Sequence, residues 1–214
     1  NMRVTTILAA VAATGVVTGA YGDFVVTQSS TQTVFDDHNL TFDEPDVPVG
    51  VPMDPWTYYQ ASDGITFTSG NGFLMAEDWD TLEGIAGGTG EGNQLNGGFN
   101  IAMHFDAPVS EVSWQGWANG NGPPFGGMFV VLLLEGVEVY AEFGLPVPFG
   151  TDVDSWFSAV GTDGMVFDEL RFGNGAFNSF NTYMDNVTFN NVPAPGALAL
   201  LGLAGVLGGR RRRS

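Results

Sequence analysis

The 214-residue chain has 24 acidic residues against 6 basic ones, no lysine and no cysteine, which excludes disulfides, thiolate zinc sites and cysteine nucleophiles. All 24 acids lie between Asp23 and Asp185, and five of the six arginines lie near the chain ends, so the body keeps Arg171 alone and a net charge of −23. Such a surface repels nucleic acid and anionic membrane and concentrates divalent cations. With 44% hydrophobic and 14% charged residues, the body is no disordered acidic tail, and its length suits one domain.

The first segment, residues 1–22, pairs a basic start at Met2-Arg3 with an apolar stretch from Val4 to Val17, followed by small residues at Gly19, Ala20 and Gly22. This pattern predicts a signal helix that is cleaved near Ala20 or Gly22 on export.

From Asp23 the chain alternates short Val-, Phe-, Tyr- and Thr-rich runs with Gly, Asn, Asp and Pro. The predicted strands are 24–27, 32–35, 39–42, 57–60, 65–68, 99–105, 109–115, 128–134, 137–143, 155–159, 165–172 and 184–189. Asn-Gly turn signals occur at 71–72, 96–97, 119–120, 121–122 and 174–175. No window between 23 and 190 holds a capped 3.6-residue apolar period. The expected fold over residues 23–191 is therefore all-β: an antiparallel, jelly-roll-like β-sandwich. The glycine-rich run Gly84–Gly98 lacks the Gly-Lys-Ser/Thr ending of a phosphate loop and reads as a long structural or lid loop.

Strand parity singles out two carboxylates. Leu40 and Phe42 share one face of a strand that Glu44 continues, with Asp43 beside it, and Val187 and Phe189 share a face with Asp185. Carboxylates on apolar parity need partners, and one arginine cannot serve both. Two readings follow: a hard cation with oxygen ligands, for which calcium is suited, or carboxylates that cap turns by accepting backbone N–H bonds.

Aromatic residues form the second candidate set. Trp56 and Tyr59 lie between proline-rich turns, Trp79 lies in an acidic loop, and Trp117 has the parity opposite to Val112 and Trp114. Trp56, Trp79 and Trp117 are the candidates for the surface, where a ring can stack against the C–H face of a sugar, with core or loop packing as the other reading; Trp114 is expected in the core. For catalysis there is no motif. His38 and His104 are far apart, His104 falls on a polar face, and pairs such as Asp78/Asp80 or Asp168/Glu169 arise from composition alone in so acidic a chain.

The last segment, residues 192–214, begins with Val192-Pro193-Ala194-Pro195, continues as an apolar run from Gly196 to Gly209, and ends with Arg210, Arg211, Arg212 and Arg213. Its apolar part of about 16 residues would span roughly 24 Å as a helix, against a hydrocarbon core of about 30 Å, with the arginines held on the cytoplasmic side. Breaker, short transmembrane helix and basic stop resemble the PEP-CTERM sorting signal of Gram-negative bacteria, with Pro-Ala-Pro in place of Pro-Glu-Pro. That resemblance implies export and processing by an exosortase-type membrane enzyme, with membrane contact only through the tail before processing. It also implies a place in the envelope, at the surface or in the exopolysaccharide matrix, with extracellular polysaccharide as a partner.

The early Phe42-Asp43-Glu44 and late Met184–Phe189 segments are similar to galactose-binding-like and carbohydrate-binding β-sandwiches. This similarity implies a structural calcium held by Glu44 and Asp185, with Asp43 as an adjacent option. The leading expectation is a non-enzymatic, calcium-stabilised exported protein. The alternatives are a dedicated carbohydrate-binding module and a small glycoside hydrolase or lyase, which would need two carboxylates about 5–10 Å apart across a groove.

Overall fold

The computed structural model describes residues 23–78, 92–119, 127–145, 155–174 and 181–192. The predicted signal helix, Trp79, Asp80 and the tail from Pro193 lie outside these residues. The elements in order are β1 (Phe24–Ser29), β2 (His38–Leu40), α1 (Gln60–Asp63), β3 (Ile65–Ser69), β4 (Met75–Asp78), β5 (Asn93–Asn96), β6 (Asn100–Asn119), β7 (Met128–Leu134), β8 (Val137–Leu145), β9 (Trp156–Gly161), β10 (Phe167–Asn174) and β11 (Asn181–Asn191). The fold is all-β apart from the single turn of α1, and every strand ladder is antiparallel.

β6 organises the molecule. Its first half pairs with β3 on one side and β10 on the other, and β10 continues to β7 and β8. Its second half pairs with β9 and β11, with β1 added beyond β9 and β5 and β2 beyond β11. The change of partners falls at Asp106-Ala107-Pro108, all three exposed, where proline has no N–H to give a ladder. One strand therefore serves two sheets, and the two layers face each other across aromatic side chains. Phe105 meets Phe189 at 5.1 Å, Phe24 meets Phe167 at 5.9 Å, and Trp114 meets Phe172 at 5.4 Å. Close packing leaves no room between them: a Cβ on Gly116 would lie 2.6 Å from Phe172 Cζ.

Several boundaries differ from expectation. The predicted strands 99–105 and 109–115 merge, from residue 100 onward, into one 20-residue strand. Residues 93–96, expected within the glycine-rich loop, form β5, because Asn96 and Leu95 find Tyr183 and Met184 across an open ladder position. Residues 57–60 form no strand. Trp56 makes an isolated bridge to Phe67, and the chain then enters α1, which Gly64 ends in the left-handed conformation at φ 67°. Segment 32–35 is not a strand either; it crosses the outer face of the second sheet, with Ser113 donating to Thr33 O and Phe35 N–H donating to Thr188 Oγ1.

Candidate functional site

On the edge of β11 away from β6, two short strands dock end to end. β5 pairs with residues 183–184 and β2 with residues 187–189. Asp185 and Asn186 stand at the gap between them. Here β11 also bulges against β6: Asp185 is level with Gln115 and Thr188 with Ser113, so Asn186 and Val187 together face Trp114. Asn186 takes φ 48°, a left-handed conformation that asparagine tolerates better than most residues.

The bulge corrects the parity argument. Asp185 lies on the Gln115 face, opposite the face that carries Val187 and Phe189, because the extra residue reverses alternation. It is nevertheless only 5% exposed. Asn186 donates to it twice, from its backbone N–H to Oδ1 at 2.6 Å and from Nδ2 to Oδ2 at 3.1 Å. The same Nδ2 donates to Gln115 Oε1 at 3.1 Å. Gln32 Nε2 in turn donates to Asn186 O at 3.2 Å, which ties the crossing segment over the gap.

The opposite wall comes from the turn after β2. The strand ends at Leu40 and Phe42 adopts φ 58°, so Glu44 does not continue the strand alternation as the sequence suggested. Tyr59 fixes this turn. Its hydroxyl accepts the Phe42 N–H at 3.1 Å and donates to Glu44 Oε2 at 2.5 Å, and its ring meets Phe42 edge-on at 5.5 Å. Burial, reinforced by the Glu44 carboxylate, holds the Tyr59 phenol far above its ordinary value, so it stays a donor. Asp43 Oδ1 accepts the Asn93 N–H at 2.6 Å, and Asn93 Nδ2 donates to Phe42 O at 2.9 Å, which joins the turn to the start of β5.

These elements set Asp43 and Glu44 near enough to Asp185 for their charges to act on its carboxyl. Burial pushes the Asp185 carboxyl up to about 8; the Asn186 amide opposes the rise, and the neighbouring Asp43 and Glu44 carboxylates add to it. Extending the β5–β11 register by one residue sets Gln94 level with Asp185, buried and with Nε2 lacking a hydrogen-bond partner. Its carboxamide can present either oxygen or nitrogen. Among the described residues, no three acidic or histidine side chains are close enough as they stand to enclose a metal. Carboxylates and neutral amide oxygens are the donor types a hard cation takes, and among the described residues no basic side chain is a hydrogen-bond partner of these groups.

The turn-capping role is also present: Asp43 and Asp185 each accept a backbone N–H. Sequence reasoning missed Asn93, Gln115 and Asn186. The Asp185-Asn186 pair was a readable signal, since Asp and Asn are the residues that enter left-handed turns most easily.

The aromatic candidates are corrected. Trp56 is fully buried and Trp117 is 3% exposed, stacked on Tyr183 at 5.7 Å; Tyr59 is buried against Phe42. None of the three offers an open ring. Trp117 lies on the outer parity as predicted, but Tyr183 from β11 covers it. Trp114 is core, stacked on Phe157 at 5.6 Å. Near the end of β11, a cleft of about 410 Å³ is lined in part by Asp37 and Glu111. Asp37 Oδ2 accepts the Asn191 N–H at 3.2 Å, and Glu111 Oε1 accepts from Asn190 Nδ2 at 2.9 Å.

No protein-family model matches the chain, and no curated protein does. Among solved structures, "CpGH89CBM32-6 produced by Clostridium perfringens" aligns with a TM-score of 0.31 and 9% identity, covering 62% of this chain and 98% of its own. The K2 cleaved adhesin domain of Lys-gingipain aligns with a TM-score of 0.35 and 16% identity, covering 73% of this chain and 99% of its own.

Proposed function

We propose that the chain is an exported, non-enzymatic protein of the envelope, surface or extracellular matrix of a Gram-negative-type bacterium, its β-sandwich held at the β2–β11–β5 junction by calcium. The observation behind the calcium site is the buried Asp185 carboxyl, beside Asp43 and Glu44, in a body whose single cationic side chain, Arg171, is engaged with Glu169. Asp43, Glu44 and Asp185 would hold the ion, with the amide oxygens of Gln115 and Asn186 as neutral donors. Bound calcium would supply the positive charge that this corner lacks and join the β2 turn, β5 and β11 in one cluster. Export and exosortase-type processing rest on residues 1–22 and on the Pro-Ala-Pro, apolar and four-arginine order of residues 192–214.

Calorimetric titration of calcium into the chain tests the site. One binding event is expected, lost in Asp185→Asn and weakened in Glu44→Gln. Absence of heat and of any calcium effect on unfolding would leave the carboxylates as turn caps. Mass spectrometry of the protein recovered from an exosortase-bearing host tests the sorting: residues beyond the Pro195 region should be missing, and an intact tail on surface protein would refute the processing.

A further inference from the structure

The outer face of the sheet formed by β3, the first half of β6, β10, β7 and β8 carries an open aromatic pair beside a polar row. Phe143 is 70% exposed, the most exposed aromatic ring among the described residues, and the half-buried Phe129 lies beside it at 6.1 Å, tilted by 35°. On the same face Gly173 is level with Phe129, and one ladder step away Arg171 is level with Val131 and Ala102. Gly173 adds no side chain of its own, and Asn100 and Phe99 fill the space over it: a Cβ there would lie 2.6 Å from Asn100 Cβ.

Beside the rings runs a row of polar side chains. Arg171 Nε donates to Glu169 Oε1 at 2.5 Å, Glu169 Oε2 lies 3.6 Å from His104 Nδ1, and His104 Nε2 meets Thr68 Oγ1 at 2.8 Å. Arg171 keeps its remaining guanidinium N–H groups at a side chain 47% exposed.

We infer that this face binds a neutral polysaccharide chain, whose sugar C–H faces cover Phe143 and Phe129 while its hydroxyls meet Arg171, Glu169 and His104. A sugar ring has one apolar face and a rim of donors and acceptors, which is the pairing this surface offers. Charge selects among occupants. The body carries −23, so polyanions are repelled. A second copy of the chain meets the same repulsion, and β8, the edge strand among the described residues, carries Glu138 and Glu142, charges that oppose strand addition. The binding face gives the matrix reading a ligand class and stands apart from the calcium junction, so the two fail separately.

Affinity electrophoresis of the 214-residue chain through gels containing galactomannan, xyloglucan or dextran, with alginate as the acidic comparison, tests the inference. At least one neutral polymer is expected to retard the protein. Phe143→Ala should weaken that retardation about tenfold and Arg171→Gln by a comparable factor, with unfolding midpoint and calcium response unchanged. Val137→Ala, an equally exposed apolar position at the far end of β8, should behave as wild type. Four results would overturn the inference: no retardation by any neutral polymer, equal retardation of Phe143→Ala, retardation by alginate alone, or a dimer on light scattering that Phe143→Ala dissolves.

Discussion

Replacing Asp185 by asparagine separates the proton from the rest of the acidic surface. The carboxyl titrates at 3.8 in an unperturbed chain and is pushed up to about 8 when folded. Between those values the folded state keeps a proton that the unfolded chain has released. Stability from this group is thus fully present below the unfolded value and is lost as pH rises through the folded one. Each pH unit in that window removes about 1.4 kcal/mol, so the whole window is worth on the order of 5 kcal/mol, a large share of the usual 5–15 kcal/mol of a domain. For a body of this size that is a fall in midpoint of roughly 10–20 °C. Thermal unfolding followed by circular dichroism from pH 4 to pH 9, in chelator, should show this slope in the wild type. Asp185→Asn carries no titrating proton and should flatten the difference, becoming the more stable protein at pH 8. Its amide can be accommodated because the neighbouring Asn186 and Gln115 carboxamides can rotate to exchange donor for acceptor. Parallel pH profiles for the two proteins would refute the burial argument.

Two further substitutions probe the supports. Tyr59→Phe removes the acceptor of the Phe42 N–H and the donor to Glu44, leaving a buried amide unpaired, and should lose about 1–3 kcal/mol in urea unfolding while weakening calcium binding. Trp114→Ala, at a core position stacked on Phe157, should lose about 3–5 kcal/mol, whereas Phe143→Ala, largely exposed, should stay within about 0.5 kcal/mol of wild type in the same experiment.

The elements with strong alternation or a clean turn were readable in the sequence. β7 has the predicted bounds, and β8 follows it through the two-residue turn Glu135-Gly136, both at positive φ, although glutamate is no usual residue for that conformation. β5 was not readable, since Asn93-Gln94-Leu95-Asn96 has one apolar side chain and owes its strand to vacant ladder positions on β11 and β4. The union of β6 across Pro108 was equally hidden, because proline marks a break locally whereas the two sheets supply partners on either side.

At the proposed site, strand parity singled out Glu44 and Asp185, with Asp43 beside them, but assigned the faces of the first two wrongly. Phe42 and Asn186 both take left-handed conformations, and each resets the alternation on which parity depends. For Trp56 and Trp117 the aromatic prediction failed for a different reason: loop position and outer parity do not imply exposure when Tyr183 covers Trp117 and the bridge to Phe67 draws Trp56 inward. Phe143 was passed over as an ordinary strand residue, its exposure arising from the outer face of an edge strand.

A crystal structure grown in millimolar calcium, with anomalous data at a long wavelength, tests the central claim most directly. The account predicts one strong anomalous peak among Asp43, Glu44 and Asp185, with carboxylate oxygens at about 2.3–2.6 Å. An ordered junction without a peak, Asp185 still held only by Asn186, would contradict it.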